Sequence, residues 1–422
     1  EVIPATLPKG LEYSITDGKV TITGYTGTVT DVVIPETIDG YTVVEIGEYV
    51  FLNRTSLTSI RIPASVEKIG IGTFNLCESL NTVEFEDNSL LTSMKKILFT
   101  TISFVFVCIL SSCSDKVAPA IPSDAEIEKK IDQLLSTMTL EEKVGQMAQI
   151  TITAIQNKDK EGNLQWKEAM LDSVIGKYKV GSILNVLSME AQTREVTAKM
   201  IKQLQDKSMQ EIGIPCLYGL DQIHGASYIA DATLFPQEIN IAATFNRTHA
   251  FTMGEVTAYE ARASLNPWSF SPTLDLGRDP RWARLWESYG ESEYLQAQMG
   301  KAQVLGMQGP NPNKVDEFHM AVCIKHYMAY GVPVSGRDRT PSSVTDIDMR
   351  ERYFEPFKEC IQAGALSLMV NSTSNKGFPF HANYEYLTQW LKEDLNWDGM
   401  IVTDWADIDN LYWRERVATS RK

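Results

Sequence analysis

The chain has 422 residues, of which 43% are hydrophobic and 22% charged, and its formal net charge is −15. This length allows two or three domains, and the composition is ordinary for a globular protein. The negative charge argues against a nucleic-acid-binding surface, because neutralising phosphates requires an excess of Lys and Arg.

The first part of the chain contains a repeat of 23 residues, seen in the pairs Phe51 and Phe74, Leu57 and Leu80, Ile60 and Val83, and Ile62 and Phe85. Each unit predicts one short strand, at 59–62 and at 82–85, followed by a turn. A single unit cannot bury its apolar face, so the units must stack. Residues 10–87 resemble the leucine-rich repeat of bacterial surface proteins. This resemblance implies a short β-solenoid fragment over residues 1–93, with an adhesive role or a purely structural one.

Residues 94–113 have the pattern of an export signal: Met94, two lysines, an apolar run of 14 residues from Ile97 to Leu110, and then Ser-Ser-Cys113. The run is short for a membrane span but typical of a signal-peptide core. The end of the segment resembles a bacterial lipobox, which implies lipidation at Cys113. The alternative is a buried strand or helix of a continuous fold.

An internal export signal predicts that residues 1–93 are foreign to the rest of the chain, either through a joined reading frame or through a natural fusion. The chain also begins with Glu1 and not with Met. We expect residues 114–123 to be a tether. The product would then be an exported lipoprotein, periplasmic or on the cell surface of a Gram-negative-type bacterium, held to the membrane through Cys113.

From Ser123 onward, helical and strand patterns alternate. Asp124 begins one predicted helix, and Thr139 with Glu142 forms a capping box for a second. The predicted strands are 181–186, 215–220, 269–274, 321–324, 366–370 and 400–403. This alternation predicts an α/β class with parallel βα units.

Polar residues end the predicted strands, namely Asp221, Asp275, Lys325 with His326, Asn371 with Ser372, and Asp404 with Trp405. A single aspartate at a strand end is often only a helix cap. As a set, however, such side chains meet at the carboxyl-terminal face of a (β/α) barrel, where these barrels place their active sites.

The residue types favour sugar chemistry. Asp404 can act as a nucleophile, and the flat face of Trp405 suits a sugar ring. The hydroxyls can be bound by carboxylates and by cationic or imidazole donors, with candidates at Asp221, Arg281, Arg284, Lys325 and His326. A carboxylate among such partners fits covalent glycosidase chemistry.

Several segments together resemble glycoside hydrolase family 3, from about residue 124 to 422: GLDQIHG (219–225), TLFPQEINIAATFN (233–246), LGRDPRWARLWESYGE (276–291), IKHYMAYG (324–331) and the stretch 380–405. The resemblance implies an incomplete (β/α)8 barrel and a retaining exo-β-glucosidase that acts on a β-glucoside or β-glucan oligosaccharide.

The family pattern implies that Asp404 is the nucleophile. It places glucosyl binding at Asp221, Arg284, Lys325, His326 and Trp405. His224 and Arg278 match positions whose family role is more structural. The triplet His381-Ala382-Asn383 is similar to the β-glucan glucohydrolase branch.

The chain departs from the family pattern at several positions. Ser292-Glu293 stands where many members have Asp-Pro, and Ala283 replaces a glycine. Ser372 stands where the family has a tyrosine, and Asn410 where it has an arginine. The last two departures leave the shape of the pocket and the choice of substrate open.

The family takes its acid/base carboxyl group from a second domain after the barrel, and this chain ends 18 residues after Asp404. We therefore expect the acid/base residue to be absent and the turnover by this chain to be small. Glu287 and Glu291 are substitutes by residue type alone.

Three alternatives remain open at this point. A surface adhesion protein acting through its repeats is one. A β-xylosidase is another, and an N-acetylglucosaminidase is disfavoured because its His dyad is not found. No cofactor or metal is indicated, because the five histidines are dispersed and no cysteine pair has zinc spacing. The sequence does not indicate an oligomeric state.

Overall fold

The computed structural model describes residues 7–47, 49–70, 73, 74, 77, 79–85 and 119–420. The predicted export signal at 94–113, including Cys113, lies outside these residues. The chain divides into two compact units, 1–115 and 116–422, and each is described separately.

The first unit contains the strands β1 (Leu11–Thr16), β2 (Lys19–Tyr25), β3 (Asp31–Val33), β4 (Thr37–Ile38), β5 (Tyr41–Ile46), β6 (Ser59–Ile62), β7 (Lys68–Ile69) and β8 (Thr82–Phe85). Strands β3, β6 and β8 form one parallel sheet. The other strands form a second sheet in the order β1-β2-β5-β4, with β7 paired to β5.

The register of the first sheet follows the 23-residue repeat. Ile60 lies opposite Val83 and Ile62 lies opposite Phe85. The predicted strands at 59–62 and 82–85 are confirmed. One turn further along, the rings of Phe51 and Phe74 stack with centroids 5.6 Å apart. Equivalent positions of successive units therefore pack on one another.

The charged residues of this unit follow the same spacing. Arg61 pairs with Glu84 at 2.7 Å, and Lys68 pairs with Glu45 at 2.6 Å. Exposed pairs of this kind contribute about 0–1 kcal/mol each. The buried apolar cluster around Phe51, Leu57 and Ile60 is therefore the main source of stability in this unit.

The second unit contains the strands β9 (Gln149–Thr151), β10 (Gln156–Lys158), β11 (Leu164–Trp166), β12 (Ser182–Leu184), β13 (Leu217–Leu220), β14 (Trp268–Ser269), β15 (Ala321–Tyr327), β16 (Ser367–Val370), β17 (Ser374–Asn375), β18 (Phe378–Pro379) and β19 (Met400–Val402). Its α-helices are α1 (Ala125–Thr137), α2 (Leu140–Gln146), α3 (Glu168–Leu171), α4 (Arg194–Ile212), α5 (Glu238–Ala242), α6 (Arg247–Ala263), α7 (Glu293–Gln308), α8 (Asp346–Asp348), α9 (Glu355–Gln362) and α10 (Asp407–Trp413).

Further helical turns are of the π type at Asp172–Lys177, Met349–Tyr353 and Glu385–Asp394, and of the 3-10 type at Ile152–Ala154, Leu187–Met189, Leu285–Glu287 and Phe380–Ala382. Among the described residues, no helix has the length and apolar character needed to cross a membrane.

Seven strands form one sheet in the order β19-β16-β15-β14-β13-β12-β9, and every neighbouring pair is parallel. The order follows the chain, with helices between most strands, as in a (β/α)8 barrel. The sheet is consistent with an incomplete barrel of this kind. Five of the six predicted strands occur in it with similar bounds, whereas only Ser269 of the strand predicted at 269–274 belongs to β14. Strand β9 is one that the sequence analysis missed.

The first two helices begin where the sequence predicts. The Asp124 side chain accepts hydrogen bonds from the first turn of α1, and Thr139 and Glu142 form the predicted capping box of α2. The apolar face of α1 has no cover among the described residues, since its four apolar side chains are 38–44% exposed: Ile127, Ile131, Leu134 and Leu135.

The main core lies between the sheet and the helices that follow β15. Phe357 on α9 is fully buried, and its ring meets that of Tyr327 edge-on at 5.1 Å. Cys216, Cys323 and Cys360 are buried and free, and they act as small core residues. This core fixes β15 and β16, and with them the residues at their carboxyl ends.

We expect Phe357→Ala to lower the free energy of unfolding of the second unit by about 3–5 kcal/mol, because it leaves a cavity in a closely packed core. Chemical denaturation followed by tryptophan fluorescence measures the change. Phe378→Ala is the matched control, because Phe378 is 51% exposed. Equal effects of the two substitutions would contradict this description of the core.

Candidate active site

Charged side chains from three strands meet at one edge of the parallel sheet. Asp221 follows β13, Lys325 and His326 belong to β15, and Asp404 follows β19. Since all of these strands are parallel, their carboxyl ends lie on the same side. The sheet therefore brings together residues that are far apart in the sequence.

Lys325 and Asp221 form the first charge pair of the site. The Lys325 ammonium donates to Asp221 Oδ1 from a side chain that is 2% exposed, whereas the Asp221 side chain is 39% exposed. Burial lowers the pKa of Lys325. The negative charges of Asp221 and Glu287 raise it by more than burial lowers it, so the pKa lies above its ordinary value. Lys325 is thus a fixed cation, and Asp221 is the member of the pair that solvent or a ligand can reach.

His326 is held by two partners. Its Nδ1 lies 2.7 Å from Asp275 Oδ2, and its Nε2 lies 3.2 Å from Arg284 Nη2. A guanidinium only donates, so Nε2 accepts and the ring proton lies on Nδ1. Burial, and then the positive charges of Arg284 and Lys325, lower the pKa of His326 well below its ordinary value. His326 is therefore neutral, and donation of a proton from Nε2 to a sugar hydroxyl would require a rearrangement.

Arg284 is fixed from three directions. Its Nε donates to Glu287, and its guanidinium carbon lies 5.5 Å from the centre of the Tyr330 ring. Burial lowers the pKa of Arg284, but the carboxylate of Glu287 more than offsets this and raises it overall. Because the third contact is to His326, the guanidinium joins the end of β15 to the loop that follows β14.

Asp404 has one engaged oxygen and one free oxygen. Its Oδ1 accepts from Arg339 Nη2 at 3.0 Å and from the backbone N–H of Trp405. Its Oδ2 is buried and accepts no hydrogen bond from the described residues. The Asp404 side chain is 11% exposed and the neighbouring Trp405 is 55% exposed. The Asp404 carboxylate therefore lies at a strand end beside an accessible indole, with one oxygen held by Arg339 and the other without a partner among the described residues.

Tyr330 links the two halves of this region. Burial raises the pKa of Tyr330, the positive charges of Arg284 and Arg339 oppose the rise, and Asp404 adds to it. The Tyr330 ring also lies 4.9 Å from the His326 ring. The Arg284 cluster and Asp404 lie at the same edge of the sheet, because β15 and β19 run parallel in it.

Other candidates lie outside the charge cluster. His224 Nδ1 contacts the Phe235 carbonyl oxygen, Arg278 is exposed, and the exposed Arg281 pairs with Asp279 at 2.7 Å. These three side chains have structural contacts or face the solvent.

The sequence analysis missed Arg339 and Asp407 beside Asp404. Arg339 lies in the loop after β15, in an unbroken run of charged residues at 337–339, and so no signal selects one of them. Asp407 is 1% exposed although it is three residues from Asp404. Its position in the sequence was the one available signal. Among the described residues, no group of three or more His, Cys, Asp or Glu side chains could hold a metal ion.

Glu238 on α5 is a buried carboxyl group behind the site. Its Oε1 accepts from the Thr273 N–H at 3.4 Å, and its Oε2 has no hydrogen-bond partner within the described part of the chain. Burial raises the pKa of Glu238 well above its ordinary value, and the Thr273 hydrogen bond only partly opposes this. The folded state therefore holds a proton that the unfolded state releases above about pH 4.5.

We expect Glu238→Gln to stabilise the second unit at neutral pH and to have little effect near pH 4. The gain should grow by up to about 1.4 kcal/mol per pH unit until the pH passes the folded-state pKa. Chemical denaturation from pH 4 to pH 8 measures it. Glu291→Gln, at an exposed position, is the control. A gain that does not depend on pH would show that Glu238 is ionised in the folded protein.

Two family models match the chain. Residues 139–420 match the "Glycosyl hydrolase family 3 N terminal domain". Residues 28–116 match the "BspA type Leucine rich repeat region", in six copies. The second match extends across residues 94–113, so the export signal there remains a prediction from the sequence.

Relatives agree with the first match. The chain is 37% identical to "Lysosomal beta glucosidase" of Dictyostelium discoideum, over 69% of this chain and 36% of that protein. It is 31% identical to "Periplasmic beta-glucosidase" of Salmonella typhimurium, over 67% of this chain and 34% of that protein. The solved exo-1,3/1,4-beta-glucanase of a Pseudoalteromonas species superimposes with a TM-score of 0.61 at 28% identity, over 70% of this chain and 37% of that one.

The chain spans about a third of the length of these curated relatives. The family match covers more than half of the chain and the fold agrees with it. The protein therefore belongs to glycoside hydrolase family 3.

Proposed function

We propose that this chain provides the nucleophile and the glucosyl-binding side of a retaining exo-β-glucosidase. The observation that carries the proposal is the free Oδ2 of Asp404, which lies at the end of a barrel strand beside the exposed ring of Trp405. The relatives support β-glucosides or β-glucan oligosaccharides as substrates, because they are named as β-glucosidases and an exo-β-glucanase.

The cluster around Lys325 binds the terminal sugar in this proposal. Asp221 is the accessible acceptor. Its carboxylate can accept hydrogen bonds from sugar hydroxyls while Lys325 fixes its position. Arg284 and His326 form the wall beside it, and Trp405 offers an apolar face to the sugar ring. Such a combination of charged hydrogen bonds and one aromatic surface is typical of a site for a neutral polar ligand.

The covalent step uses one electron pair from Asp404 Oδ2. This pair forms the bond to the anomeric carbon, and the bond from that carbon to the leaving oxygen breaks with its pair going to the leaving group. Water later cleaves the glycosyl–Asp404 ester, which returns the carboxylate and releases the sugar with retained configuration.

A basic leaving group needs a proton donor about 5–5.5 Å from the nucleophile. Glu287 is committed to Arg284, Glu291 is exposed on the loop after it, and Asp407 is buried against Ser372. We place the acid/base group outside residues 119–420, and we expect slow turnover of unactivated glucosides by this chain.

For location, we propose export, with a lipid anchor at Cys113. The sequence pattern of 94–113, the match to a surface-type repeat and the periplasmic relative support this proposal. A second function, binding of a surface partner by the repeats, is favoured by the regular stacking of Phe51 on Phe74 and of β6 on β8.

We expect this chain to react once with 2,4-dinitrophenyl 2-deoxy-2-fluoro-β-D-glucopyranoside. Its leaving group needs no proton, and the fluorine slows release of the sugar, so the glycosyl–enzyme accumulates. Intact-mass and peptide mass spectrometry should find one 2-fluoroglucosyl group on the peptide that contains Asp404. The corresponding xyloside should label more slowly if glucosides are the preferred substrates.

Asp404→Asn should abolish this labelling. The control is Asp398→Asn, since Asp398 precedes the same strand and its side chain is 94% exposed. A folded wild-type chain that is not labelled, or one whose labelling survives Asp404→Asn, would overturn the assignment of the nucleophile.

A further inference from the structure

A short line of hydrogen bonds leads from Asp404 into the protein. Arg339 Nη2 donates to Asp404 Oδ1 at 3.0 Å, and Arg339 Nη1 donates to Ser372 Oγ at 2.6 Å. Ser372 Oγ in turn donates to Asp407 Oδ1 at 2.6 Å. We call these four residues the Asp404–Asp407 relay.

The relay has one possible arrangement of protons. A guanidinium has no acceptor, so the Ser372 hydroxyl accepts from Arg339 and its single proton can go only to Asp407. Ser372 is fully buried and Asp407 is 1% exposed, so bulk water does not compete for these bonds. The orientation of the Arg339 guanidinium therefore depends on Asp407, although the two side chains do not share a hydrogen bond.

Asp407 is itself fixed by the helix it begins. Asn410 Nδ2 donates to Asp407 Oδ1 at 2.9 Å. Arg414 Nη2 lies 3.6 Å from the same oxygen and donates to the Ser372 carbonyl oxygen at 2.6 Å. Ser372 and Asn410, two of the positions that depart from the family pattern, are thus bonded to one buried carboxylate.

We propose that Asp407 is a positioning residue for Asp404, acting through Ser372 and Arg339. The relay holds Asp404 Oδ1, and this orients the carboxylate so that Oδ2 is the oxygen that attacks. The proposal rests on the proposed function, because positioning matters only if Asp404 is the nucleophile. Small displacements of a nucleophile lower the rate strongly. The Ser372–Asp407 hydrogen bond can therefore affect the rate, although it is linked to the Asp404 carboxylate through Arg339.

The two ends of the relay differ in their distance from the reacting group. Arg339 donates directly to the Asp404 carboxylate, whereas the Asp407 side chain is separated from that carboxylate by Ser372 and Arg339. A loss of rate in an Asp407 variant without a change in probe binding therefore indicates positioning.

The test is the rate of covalent labelling by the same 2-fluoroglucoside, measured on the full chain against probe concentration. We expect Asp407→Asn and Ser372→Ala each to lower the saturating rate constant by about 10–100-fold, because the nucleophile is displaced. The probe concentration at half-saturation should stay within about threefold, since neither side chain lies among the proposed sugar-binding groups. The saturating rate constant of the double variant should be little lower than that of either single variant, because both substitutions interrupt the same relay.

Arg339→Lys separates positioning from charge, because it keeps the cation and loses the second hydrogen bond. It should be slow like Ser372→Ala, whereas Arg339→Met, which also removes the cation beside Asp404, should be slower still. Asp398→Asn is the control, and circular dichroism checks folding. If Asp407→Asn does not fold, Ser372→Ala tests the same bond with the loss of a single oxygen.

Wild-type rates in folded Asp407→Asn or Ser372→Ala would overturn the relay and leave the proposed function intact. A rise in half-saturation concentration that accounts for the whole effect would also overturn it, in favour of a binding role. Absence of labelling in the wild-type chain would overturn both proposals, so the two failures can be told apart.

Discussion

The active site depends on the parallel direction of the seven strands in the main sheet. Parallel strands end on the same side of a sheet, so each side chain that follows a strand is placed at the same edge. Lys325 shows the consequence, because it reaches Asp221 from two strands away across β14. The two side chains meet because β14, which lies between their strands, is parallel to both and so keeps the carboxyl ends of β13 and β15 on one side.

Burial at that edge makes each charge depend on a partner. Lys325 remains charged because Asp221 and Glu287 offset the cost of burial. His326 is neutral because burial, and then the positive charges of Arg284 and Lys325, lower its pKa. Arg284 connects these groups, since it donates to Glu287 and to the imidazole. Three carboxylates of this region each keep one buried oxygen without a protein partner in the described residues, namely Asp275, Asp404 and Asp407. Asp404 is the most exposed of the three, as a group that contacts a ligand must be.

The sequence predicted the strand-end residues well, because it needed only the alternation of apolar strands and helices and the rule for parallel sheets. It did not find Arg339 or Asp407. Arg339 lies in a long loop whose path is set by contacts such as Val334 with Pro341, and a loop has no period from which direction can be read. Asp407 lies beyond the strand end, and the left-handed backbone at Ala406 begins its helix and helps to place the Asp407 side chain against Ser372.

By itself, the sequence determined the 23-residue repeat, the helix starts at Asp124 and Thr139, five strands of the sheet and the family. These features rest on local spacing, which a chain carries before it folds. The tertiary structure alone decided which charges pair, which oxygen of Asp404 is free, and that the apolar face of α1 is exposed among the described residues. Those outcomes depend on distances between segments remote in the chain, and the direction of a side chain at such a distance is set by packing and not by local spacing.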